Sequence, residues 1–207
     1  RLVGLAPVDA ELALAPEVHE RAARMARAVD RALEDHLAVL RDVPETPRQA
    51  NAEDADLFIS LHTNASPNPT AKGIETYYLD NTTDEAAIRL AARENGTSRK
   101  NITDLQFILS DMTQNAKLED SITLANRLQT SLVSFMGKRQ GEVKDLGVKK
   151  AQFFVLVGAR MPSVLVELFF VTHKAEGRAL ARRAYQDALV QALLEGIKKY
   201  QESAQVV

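Results

Sequence analysis

The sequence predicts an α/β domain with a single, mostly parallel (mixed) sheet flanked by helices on both faces. Three observations carry that prediction. Short apolar runs at 2–8, 37–40, 56–62, 74–79, 152–158 and 163–171 have strand length. Longer stretches between them repeat their apolar residues every three or four positions. Hydrophobic residues make up 45% and charged residues 26% of 207 positions, the balance of a soluble chain able to bury a core. Strands alternating with helices imply a sheet covered on both sides.

The elements follow in order. LVGLAPV (2–8) reads as a first strand, and 16–35 as a helix with Ala22, Met25, Ala26, Val29 and Leu33 on one face. LAVL (37–40) reads as a second strand, closed by the proline-bearing loop from Val43 to Pro47. DLFISLH (56–62) is a continuous apolar run, expected of a strand buried on both faces. After the loop SPNPTAKG (66–73), IETYYL (74–79) alternates as a strand. Residues 84–94 and 104–136 read as helices, with Leu118, Ile122, Ala125 and Leu128 in helical register. QFFVLVG (152–158) and SVLVELFFV (163–171) read as two more strands, and 173–200 as an amphipathic helix or helix pair. One domain over 1–207, with a helical insertion at about 82–142, is the simplest organisation.

Composition narrows the chemistry. The net charge of −2 and the lack of a concentrated basic face argue against a nucleic-acid partner. No apolar run approaches the roughly 18 residues that span a bilayer, and no basic-then-apolar leader is read. With no cysteine, any metal must be held by His, Asp or Glu. Ligands in such sheets lie at the carboxyl ends of strands. His62 ends one apolar run there, as a hydrogen-bonded structural residue or a ligand. Glu167 is embedded in VLVELFF. Burying an unpaired carboxylate is costly, so Glu167 needs a salt-bridge partner such as Arg160, a raised pKa, or a metal nearby.

The contexts of these two residues are more specific than the residues themselves. ADLFISLHTNASPNPTAKGIETYYL resembles the segment around the second zinc histidine of the N-acetylmuramoyl-L-alanine amidases. VKDLGVKKAQFFVLVGARMPSVLVELFFVTHKAEGRAL resembles their C-terminal block. The subgroup most similar is that of the cell-separation amidases with a helical insertion. The resemblance implies a zinc ion held by His, Glu and His, and a further Glu as general base and acid on the lactyl–L-alanine amide. By position, His62 is the second histidine and Glu167 the catalytic acid. The resemblance also implies peptidoglycan as partner, an activator or other division protein, and a periplasmic or cell-envelope location.

The pattern breaks at the metal side. Where the family has a glycine-rich turn bearing the first histidine, this chain has Leu5 to Ala10, without His or Gly. Asp9 is a poor substitute ligand there, because the missing glycines imply another backbone path. Glu17 matches the glutamate ligand by position, although an acid in a first helical turn is also what the helix dipole favours. Phe169 stands where the family has a small residue and is expected to narrow the substrate groove. Glu119 or Asp120 matches the acid of a covering helix that can occupy the open zinc position, or lies on a solvated helix face. The first expectation is therefore a degenerate amidase-fold protein that binds cell wall or regulates hydrolases, with zinc weakly held or absent. The alternative is an active zinc amidase with Glu167 as base; a third reading is a scaffold for protein contacts.

Overall fold

The computed structural model describes residues 47–100 and 117–204. The expected strands at 2–8 and 37–40, the helix at 16–35, and the positions Asp9 and Glu17 lie outside the described residues, as does 104–116 of the expected middle helix. The elements are α1 (Pro47–Ala52), β1 (Phe58–Asn64), β2 (Ile74–Leu79), α2 (Glu85–Glu94), α3 (Leu118–Gln140), β3 (Asp145–Ala151), β4 (Ser163–Phe170), α4 (Lys174–Leu180) and α5 (Arg183–Ala204). The described strands form one sheet in the order β1-β4-β2-β3. β1 runs parallel to β4 and β2 parallel to β3, while β2 opposes β4. The mixed α/β sheet expected from the sequence is the one observed.

β4 is an interior strand of the described sheet, and all eight of its residues are buried. Its side chains alternate between two cores. On the back face Val164, Val166 and Leu168 join Leu61 and Ile74 of the neighbouring strands against α3 and α5. On the front face Leu165 joins Phe58, Tyr77 and Leu79 against α1 and α2. α3 falls within the expected insertion, yet Leu124, Leu128 and Leu132 are fully buried in the back core. It is a layer of the domain. Gln129 fastens it further, donating to the carbonyl of Ile74 and to Asp145 while accepting from Thr76.

One strand expectation is corrected. The run 152–158 is a loop with a single 3₁₀ turn at Phe154–Leu156, and the strand is the preceding Asp145–Ala151. Asn95, just past α2, takes the backbone groups a strand would have used. Its amide donates to the carbonyl of Gln152 at 2.7 Å and accepts from the N–H of Phe154 at 2.8 Å. Phe153 then turns inward against the Tyr77 ring, with centroids 5.1 Å apart. Phe154 faces out. The C-terminal segment is a helix pair, as its pattern allowed, and among the described residues no helix is long and apolar enough to cross a membrane.

α3 and α5 approach closely at Gly196, where an added Cβ would lie 2.9 Å from Leu128 Cδ2 and 3.0 Å from its Cα. Helix propensity alone would make Gly196→Ala stabilising by roughly 1 kcal/mol. The clash opposes this, and part of it is with backbone. The variant should lose about 1–3 kcal/mol in chemical denaturation; a gain would show that the helices separate freely.

Candidate functional site

Strand register builds the site. His62 pairs with Glu167 across β1 and β4, and Glu167 pairs with Glu75 across β4 and β2. All three share the front face, so a polar row crosses three adjacent strands spaced about 4.8 Å apart. Glu167 is at the centre, 0% exposed. Among the described residues neither of its carboxyl oxygens has a hydrogen-bond partner. Arg160, considered as its partner from sequence, is exposed and offers its backbone N–H to Asn51 instead.

The last turn of α2 closes over one end of the row. Glu94 Oε2 lies 2.8 Å from His62 Nδ1, and the other ring nitrogen of His62 lies 3.0 Å from Ser60 Oγ. Arg93 holds the turn in place. Its Nε donates to Glu94 Oε1 at 3.0 Å, and its two terminal nitrogens donate to the carbonyl of Ala65 and to Asn64 Oδ1. Asn64 in turn donates to Glu75, whose second oxygen receives Lys149 at 2.7 Å. The result is a chain of alternating charge around Glu167 that leaves Glu167 itself out.

The protonation states follow from these contacts. Burial, then the neighbouring Glu94 charge, pushes the Glu167 carboxyl up to about 8. Burial also works against ionised Glu94, but the His62 hydrogen bond and charge, with Arg93, hold it down to about 2. For His62 burial acts downward, and Glu94 reverses it, raising the imidazole above its ordinary 6.5. His62 and Glu94 form an ion pair beside a protonated acid.

One donor atom each from His62, Glu94 and Glu167 lie within 4.8 Å of one another. An imidazole and two carboxylates suit zinc or another divalent cation, as the absence of cysteine requires. The two orphaned oxygens of Glu167 are what such a charge would satisfy, so the residues fit a metal.

Two other expectations meet different positions. Glu119 is exposed and Asp120 pairs with Lys117 at 3.2 Å. Both begin α3, on the back face, beside Ser121, whose hydroxyl accepts from the N–H of Ser163 at the start of β4. Glu167 lies toward the other end of that strand. Among the described residues Glu94 is the acid bonded to His62. Phe169 does not narrow a groove either. The register slips between His62/Asn64 and Glu167/Phe170, so β4 carries one extra residue there. Phe169 takes that bulge with φ of 64° and swings to the back core against Tyr185. A left-handed residue at this position accounts for the small residue expected there. Sequence reasoning passed over Glu94, Arg93 and Glu75. The one available signal was Glu94 itself, an acid at the negative end of a helix.

Comparison with known proteins agrees with this architecture. A family model described as N-acetylmuramoyl-L-alanine amidase matches residues 11–199. The chain is 31% identical over 160 residues to N-acetylmuramoyl-L-alanine amidase AmiA of Escherichia coli, covering 73% of this chain and 54% of that protein. It is 31% identical to the amidase LytC of Bacillus subtilis, covering 75% of this chain and 24% of LytC. The chain thus spans about half the length of one relative and a quarter of the other. The crystal structure of an N-acetylmuramoyl-L-alanine amidase from Clostridium difficile 630 superposes with a TM-score of 0.61 at 24% identity, covering 88% of this chain and 84% of that one.

The acid at the centre of the row makes stability depend on pH. Glu167 titrates near 8 when folded and near its ordinary 4.5 when unfolded, so between these values the folded chain holds a proton that the unfolded chain has released. Stability is full below that window and falls as pH rises through it. His62, also raised, adds in the same direction above 6.5, whereas Glu94 contributes only where pH drops below 4.5. With chelator present, melting temperature should fall from about pH 5 to about pH 8.5. Glu167→Gln should flatten most of that slope; an unchanged slope would mean the buried acid is not its source.

Proposed function

The chain belongs to the N-acetylmuramoyl-L-alanine amidase family, and from that premise we propose that it hydrolyses the amide joining the muramic acid lactyl group to L-alanine in peptidoglycan. The observation that carries this reading is the buried, unpartnered carboxyl of Glu167 beside His62. A purely structural acid in that place would have been given a partner or replaced by an apolar residue. In this reading His62 is a zinc ligand, Glu17 a second, and Asp9 no more than a poor third. When bound, zinc lowers the pKa of its water and polarises the amide carbonyl. Glu167, ionised by the charge of a bound cation, would take the water's proton and hand it to the departing amine. Ser60 orients the imidazole through its second nitrogen.

Glu94 has the part that the sequence offered to Glu119 or Asp120. Its carboxylate sits on the nitrogen of His62 that faces the cluster, held by Arg93. The described geometry is then a closed state, opened when the Glu94 side chain leaves His62. An activator that binds the open form better would shift the balance. The chain works, in this reading, in the cell envelope.

A degenerate protein that binds peptidoglycan without cleaving it is favoured by one specific observation. Leu5 to Ala10 has neither the histidine nor the glycines of the family turn. Losing one of three ligands weakens a zinc site greatly. Metal content and turnover separate the readings. The amidase reading expects near-stoichiometric zinc, lost in His62→Ala, and release of stem peptide from sacculi. Glu167→Gln should keep the zinc and lose about 10²–10⁴-fold in rate. Glu94→Ala should raise zinc affinity and rate by about tenfold. If Glu94→Ala binds sacculi yet releases nothing, the degenerate reading is the correct one.

A further inference from the structure

A cavity of about 430 Å³ opens on the front face beside the polar row. Arg93 and Asn64, bonded to each other and through Arg93 to Glu94, line it together with Glu75, Lys149 and Arg89. Its volume is that of a small-molecule site. Among the described residues lining it are three cations and one carboxylate, in a chain of net charge −2. The local excess is positive where the molecule as a whole is negative.

The three cations are not equally committed. Arg93 is nearly buried and fully used by Glu94, Ala65 and Asn64. Lys149 balances Glu75 while remaining 30% exposed above the Tyr77 ring. Arg89 is spare. It is 44% exposed, and its ion pair is with Glu85 at 3.7 Å, a carboxylate already bonded to Arg99. An exposed pair of that kind is worth little, so the guanidinium is free to turn to a better anion. The apolar side chains of Leu90 and Phe170 in the lining lower the local dielectric in which it would do so.

We propose that this cavity is a carboxylate subsite for the peptide side of the substrate, with Arg89 and Lys149 as its cations. The proposal rests on the amidase reading, which supplies the substrate class. The cavity lies one to two strands from Glu167 on the β2–β3 side, roughly 5–10 Å at the usual strand spacing. Two extended peptide residues reach about 7 Å. The group addressed is therefore a free carboxylate on the second residue beyond the cleaved bond. A planar guanidinium with a carboxylate is the pairing that gives both strength and orientation.

The test uses two muramyl dipeptides that differ only at that second residue, one with a free carboxylate and one with the carboxamide. They are titrated calorimetrically into the whole chain with chelator present, so that nothing is cleaved. The free acid should bind about tenfold more tightly, the scale of one charge-assisted hydrogen-bonded pair, and added salt should narrow the gap. Arg89→Gln should erase the preference without moving the melting temperature, since Arg89 is outside the cluster and the core. Equal binding of the two peptides to the unaltered chain would overturn the subsite, as would binding of neither. Stem-peptide release from sacculi, measured separately, decides the amidase reading on its own.

Discussion

The structure is organised around one costly act, the burial of the Glu167 carboxyl in the middle of the sheet. An ionised acid cannot sit there unpaired, and none of the described residues pairs with it. The neighbours adjust instead. Glu75, one strand away, is neutralised by Lys149 and held by Asn64. Glu94 is neutralised by His62 and Arg93. With both flanking acids paired, Glu167 is left to take up a proton and wait for a positive charge. Removing Lys149 or His62 would leave a flanking acid short of a cation.

The same arrangement explains how α2 is docked. Its buried face of Ala87, Leu90 and Ala91 sets it on the front core. Apolar packing sets no register by itself. The polar groups at its last turn do: Arg93 reaches the end of β1, Glu94 reaches His62, and Asn95 captures the segment before and after Phe153. An acid at the negative end of a helix opposes the dipole, and the two cations beside it offset that cost. The acid that reaches His62 therefore comes from α2 on the front face, while α3 packs on the back.

The two faces of the sheet divide the labour. The back face is closed by α3 and α5 with nearly dry packing, tight enough that Gly196 admits Leu128 against its backbone. The front face carries the row, the cavity and the polar chain. The bulge at Phe169 is the device that separates them. Without the extra residue, strict alternation would point Phe169 into the site face. With it, the ring goes to the back core and Phe170 turns toward the cavity.

The sequence by itself determined the α/β class and the strands at 74–79 and 163–170, and it singled out His62 and Glu167 as candidates. Those are properties of local pattern: alternation, apolar runs, and an acid or imidazole placed where solvation is lost. It misplaced the strand near Phe153 because apolar content was visible and the side chain of Asn95, which removes the backbone partners, was not. It offered Glu119 and Asp120 as the covering acids from their order along the chain, since distance along a chain does not say which face of a sheet a helix covers. Only the tertiary structure decided that Glu94 meets His62, that Glu75 flanks Glu167, and that three cations share one cavity. Each of those contacts joins residues from separate elements, and strand register, which no single segment encodes, is what brings them together.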